Sequence, residues 1–182
     1  DFWCAHVVYL VTFLVAILLT ILHPPTSAEV EAFLSLSPAY LSSSSALQHL
    51  VVARAAGVVH GEAPSVLLAV AYHESRYTLV QRTREPGSRV SCGVMTPIPQ
   101  SGCSAWELTL AGGYDVGAKH LAMWRTHYPR HTRLAYAGGG GLVRVCARGP
   151  WMVAGRNVCS FERDILTLAR EIDRALKKAG TS

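Results

Sequence analysis

Charge is what this chain has least of. Only 16% of its 182 residues are Asp, Glu, Lys or Arg, against 50% apolar. An apolar share of that size excludes a chain disordered throughout. Residues 2–22 contain no Asp, Glu, Lys or Arg, and no Lys or Arg occurs before Arg54, so the positive-inside rule has nothing to count. There is no Cys-x-x-Cys and the histidines lie elsewhere, which argues against a zinc site. No Gly-x-Ser-x-Gly elbow is present, which argues against a Ser-His-Asp hydrolase. No recognised nucleic-acid motif occurs, and aromatics do not interleave with the basic residues, so nucleic acid is not an expected partner. There are no internal repeats.

What is there begins with residues 2–22. About twenty helical residues at about 1.5 Å each span a hydrocarbon core, so the stretch is read as a transmembrane helix. Phe2, Trp3 and Tyr9 sit toward one end, as an interfacial belt would place them. Two other readings stay open: a secretory signal with Thr26-Ser27-Ala28 as cleavage site, and a buried core helix. Pro24 and Pro25 end the helix. Residues 23–45 are read as a Pro/Ser-rich tether, flexible at Ser42-Ser43-Ser44-Ser45 and with a short helical turn over 29–36. Residues 46–182 are the expected globular domain.

Cys4 lies in the apolar stretch. The other four cysteines fall as two local pairs, Cys92 with Cys103 and Cys146 with Cys159. Four cysteines allow three connectivities. Local pairing is preferred because each bridge would staple one irregular loop, and it would put the domain in an oxidising compartment. Free thiols in a reducing compartment are the alternative. The net charge is +5, with the basic residues almost all after residue 50, and Arg76, Arg82, Arg84 and Arg89 crowd one loop. Such a run is often only a solvated face. It also suits a polyanion such as a cell wall with its peptide carboxylates.

Along the domain, Leu47, Leu50, Val51, Ala55 and Val58 recur at helical spacing. His60-Gly61 stops that helix, and Pro64 fits the first turn of the next, which continues to Glu74. Residues 77–104 form a long loop with a small hairpin near 89–94. Asp115 is read as the cap of a helix that Pro129 ends. Residues 134–137 are a short helical piece broken by Gly138-Gly139-Gly140-Gly141. A last amphipathic helix covers 161–178. The expected domain is mainly α, with a small irregular or β element.

The apolar run 66–72 delivers one carboxylate, Glu74, to its end. Desolvation beside a greasy helix penalises the charged form of a carboxyl, which suits a general acid. Glu74-Ser75, then Gly93-Val94-Met95-Thr96, then Ala135-Tyr136-Ala137-Gly138 resembles the lytic transglycosylase and goose-type lysozyme superfamily over about residues 46–178. That family runs roughly Glu-Ser, Gly-Leu-Met-Gln, Ala-Tyr-Asn-Ala-Gly. Thr96 stands where it usually has Gln, and its Asn is missing here. The resemblance implies a lysozyme-like α+β fold acting on peptidoglycan, with Glu74 catalytic and Ser75, Gly93, Met95, Thr96 and Tyr136 at the sugar cleft. It implies no cofactor or metal. In a lytic transglycosylase one Glu protonates the bridging oxygen and then takes the proton of the sugar's own C6 hydroxyl, leaving a 1,6-anhydro end. In a goose-type lysozyme a second carboxylate from the following loop activates water, and Glu85 is the candidate. A wall-binding or assembly module without activity is the non-enzymatic alternative. The expected setting is a membrane anchor with the domain in the periplasm or outside the cell, or a phage virion, and the expected partners include a secretion machine or a phage particle.

Overall fold

A computed structural model of the chain describes residues 11, 15, 18, 22–79, 83–84, 90–96, 103–153 and 155–181. Among these it is mainly helical, with six α-helices and two short antiparallel hairpins. The helices are α1 Ser27–Leu34, α2 Ser43–His60, α3 Pro64–Ser75, α4 Leu110–His127, α5 Thr132–Cys146 and α6 Phe161–Gly180. Strands β1 Thr83–Arg84 and β2 Val90–Ser91 pair in the long loop, and β3 Met152–Val153 and β4 Arg156–Asn157 pair between α5 and α6. Of the expected membrane helix, only Val11, Val15, Leu18 and Leu22 fall among the described residues, all exposed. Among the described residues no single helix is long and apolar enough to cross a membrane.

Helix α3 is the axis of the domain. Residues 65–71 are all buried, because α2, α4 and α6 pack around it. This is why its sequence reads as a continuous apolar run rather than as an amphipathic stripe. Leu50 from α2, Leu67 and Leu68 from α3, Tyr114 and Leu121 from α4, and Ile165 and Ile172 from α6 form the fully enclosed centre. Local signals set the boundaries. The Ser42 hydroxyl accepts from Ser45 N at 3.2 Å to start α2, Gly61 closes α2 in the left-handed region at φ 65°, and Pro64 opens α3.

Two local readings differ from the structure and a third holds. The stretch read as a tether is folded onto the domain. Thr26 and Glu29 form a capping box on α1, Phe33 is fully buried with its ring 5.3 Å from Tyr77, and Arg54 of α2 donates to Glu29 at 2.5 Å. Only Val30 and Phe33 of this short helix are buried, which leaves little periodicity to read, so tertiary packing decides. Asp115 is not a cap. The Thr109 side chain caps α4 by accepting from Gly112 N at 3.0 Å. Asp115 is buried one turn further on, where it accepts from Trp106 Nε1 at 3.3 Å and pairs with His60 Nε2 at 2.8 Å. The four glycines break the helix as expected, since Gly138 and Gly139 are non-helical. They kink α5 there, and the helix resumes to Cys146. The start of α5 lacks a cap of its own, and Glu162 of α6 supplies it by accepting from Arg133 N and Leu134 N, both at 2.9 Å.

Both preferred disulfides are present. Cys92–Cys103 and Cys146–Cys159 have Cα–Cα distances of 5.7 and 5.4 Å. Loops of this size correspond to about 3 kcal/mol of closure entropy each. Two disulfides mark an extracytoplasmic protein.

One core histidine makes folding pH-dependent. His49 is 4% exposed, and its Nδ1 lies 2.9 Å from the Tyr114 hydroxyl. Burial lowers its pKa from 6.5 to about 4, against a weaker opposing pull from a hydrogen bond to the Tyr77 backbone. A folded pKa below the unfolded one means that the unfolded chain binds the proton more readily. Stability is therefore complete above pH 6.5 and falls as the pH drops toward 4. The loss is on the order of 3 kcal/mol. Urea midpoints measured across this window should flatten in His49→Gln; an unchanged slope would remove His49 as the source.

Candidate functional site

The site is built where α3 ends. Arg76 and Tyr77 both adopt left-handed conformations, at φ 56° and 63°, and reverse the chain within two residues. The turn is held in place. Tyr40 donates its hydroxyl to Arg76 O at 2.5 Å, the Arg76 guanidinium lies 4.1 Å from the centre of the Tyr72 ring, and Tyr77 is buried against Phe33 and His49. Glu74 is thereby fixed on the last turn of a helix whose body is buried, with its own side chain half-buried.

The segment 93–96 returns alongside. Gly93 has φ 69°, and a Cβ there would sit 2.5 Å from Glu107 O and 3.0 Å from Gly113 Cα. Only glycine lets this strand of backbone lie against α4. Met95 is fully buried and packs into the notch left by Gly117, so it fills core as Met residues commonly do. Ser75 shares its hydroxyl between Ala71 O at 3.1 Å and Val94 O at 2.6 Å, lashing α3 to the returning segment. Thr96, at φ 46°, donates its hydroxyl to Glu74 Oε2 at 2.5 Å. Tyr136 from α5 donates to Met95 O at 2.7 Å. Burial first, and then the charge of Glu74, push the Tyr136 phenol well above its ordinary value, so it stays a neutral donor.

Glu74, Ser75, Gly93, Met95, Thr96 and Tyr136 are therefore brought together. Their roles divide. Ser75, Gly93 and Met95 are scaffold, and Thr96 touches the carboxylate directly. Glu85, with Arg82 and Arg89 of the same loop, lies outside the described residues. His73 turns away and meets the Phe161 ring edge-on at 5.7 Å. Sequence reading did not single out His120, whose ring centre lies 6.3 Å from that of Tyr136 and whose pKa is lowered by burial. Its position one turn after Gly117, on the same face of α4, was the available signal. Among the described residues no group of three or more His, Cys, Asp or Glu gathers to hold a metal.

No family model, no curated protein and no solved structure matches the chain. Chemically, the arrangement offers one carboxyl group at a helix end. One of its oxygens is oriented by a hydroxyl donor, and the surrounding backbone is locked by a side-chain hydrogen bond from each of two helices. A group so fixed can deliver and recover a proton at one point without reorganising its surroundings.

Proposed function

We propose that the protein is a peptidoglycan lytic transglycosylase that cleaves the β-1,4 link between N-acetylmuramic acid and N-acetylglucosamine, with Glu74 as its acid and base. One observation carries the reading: three short motifs from distant parts of the chain meet through hydrogen bonds, Thr96 on Glu74 and Tyr136 on Met95. A protonated Glu74 gives its proton to the bridging oxygen as the C1–O bond breaks. The resulting carboxylate takes the proton of the C6 hydroxyl, whose oxygen bonds to C1. The proton count closes on Glu74, with no water consumed and no enzyme nucleophile. Residues 2–22 anchor the enzyme in a membrane, and the domain works on the wall side, in the periplasm or outside the cell.

The product decides between this reaction and hydrolysis. Mass spectrometry of released muropeptides should show 1,6-anhydro ends, lighter by one water than reducing ends, and Glu85→Gln should change little. Reducing ends that disappear in Glu85→Gln would make the enzyme a lysozyme with Glu85 as base. Absence of either product across several wall types would leave a wall-binding module.

A further inference from the structure

We propose that the hairpin β3–β4, with the arginine-lined cavity at its base, docks the domain on an anionic phospholipid surface. Four large apolar side chains in this part of the chain are exposed: Val145 at 41%, Trp151 at 46%, Met152 at 56% and Val153 at 46%. A concentration of this kind on an extracytoplasmic domain marks an interaction surface. Its base is fixed in advance. The Cys146–Cys159 bridge closes the base, Val158 N donates to Trp151 O at 2.9 Å, and Asn157 Oδ1 accepts from Cys159 N at 3.0 Å. Little ordering entropy then opposes docking.

Charge selects the occupant. Residues 130–170 carry seven arginines against two carboxylates, Glu162 and Asp164. Both carboxylates are engaged, Glu162 with the start of α5 and with Arg133, and Asp164 with Ser160 at 2.6 Å and Arg163 at 3.5 Å. A cavity of about 420 Å³ opens between α5 and α6, lined by Arg130, His131, Arg163 and Arg170 together with the paired Glu162, and it shares both bridge cysteines with the hairpin. An exposed Trp and Met beside an arginine cluster is the pattern of a protein lying in an anionic membrane interface. The indole sits at headgroup level and the guanidinium groups meet lipid phosphates. This contact is separate from any anchor at residues 2–22. It is also separate from the site around Glu74, since neither Glu74, Thr96 nor Tyr136 lines the cavity.

The test uses the full-length chain reconstituted into vesicles of phosphatidylcholine alone, or with phosphatidylglycerol added, each containing brominated lipid that quenches tryptophan. The N-terminal segment contributes equally to every sample, so the signal lost in Trp151→Phe belongs to the hairpin. That part of the quenching should appear only with phosphatidylglycerol and should fall as salt is raised. Combined Arg130→Ala, Arg163→Ala and Arg170→Ala should weaken docking about 100-fold, from about fivefold per arginine at an anionic surface. These three side chains are exposed, and intact disulfides and circular dichroism check the fold. Equal quenching in wild type and Trp151→Phe, or equal Trp151 quenching on both lipids, would overturn the proposal. So would a Trp151 response to peptidoglycan fragments alone, which would assign the hairpin to glycan.

Discussion

Glu74→Gln is expected to lower peptidoglycan cleavage by about 10²–10⁴-fold, the usual worth of one general acid. The amide is nearly isosteric with the acid and keeps an oxygen to accept from the Thr96 hydroxyl, now held at 2.5 Å. The Ser75 and Tyr136 hydrogen bonds that hold the backbone do not involve the carboxyl group. The substitution therefore removes the transferable proton while leaving these hydrogen bonds in place. The melting temperature should be nearly unchanged, which separates lost chemistry from lost fold. Glu74→Gln retaining more than about a tenth of wild-type activity on a zymogram would take Glu74 out of the mechanism and favour the wall-binding module.

How far the sequence carried can be judged residue by residue. The end of α2 and the start of α3 were legible because each is written in one residue with one reason, Gly61 for a left-handed stop and Pro64 for a first turn. The start of α2 was not, since Ser43–Ser45, read as flexible, form its first turn. The disulfides were legible because each pair brackets a short loop. The last helix was legible from its period. What failed shares a cause. Asp115 looks like a cap by residue type, yet its partners, His60 and Trp106, come from other elements and could not be seen along the chain. Gly112 and Gly113 precede Asp115, the residue read as the start of a helix. They lie inside α4, where a Cβ on Gly112 would strike Trp106 O and one on Gly113 would sit 2.9 Å from Val94 N. Glycine there serves close approach rather than turning, and residue type alone does not distinguish the two. At the site, the motifs identified which segments meet. They did not reveal that Ser75 binds backbone or that Thr96 reaches the carboxylate, because both depend on how two segments are registered against each other.

That registration rests on Gly93, and Gly93→Ala is expected to be the most damaging single-methyl change among the site residues. Two costs add. An alanine at φ 69° pays roughly 1–2 kcal/mol for the left-handed conformation. Its Cβ would also lie 2.5 Å from Glu107 O, a backbone atom that cannot rotate away, and overpacking of this kind costs about 1–3 kcal/mol. The sum of about 2–5 kcal/mol corresponds to a fall in Tm of roughly 5–15 °C for a domain of this size. Gly61→Ala is the control. It has nearly the same φ, 65°, but its nearest neighbour is the Arg125 guanidinium at 3.6 Å, an ordinary contact, so it should lose only the conformational cost. Movement of the 93–96 segment away from α4 would also carry the Thr96 hydroxyl off Glu74 and the Met95 carbonyl off Tyr136. Gly93→Ala should therefore reduce activity even at temperatures where it remains folded, whereas Gly61→Ala should not. Equal losses of Tm in the two variants would show that the contact with Glu107 relaxes at no cost. Full activity in folded Gly93→Ala would show that the position of Thr96 does not matter to the carboxylate it touches.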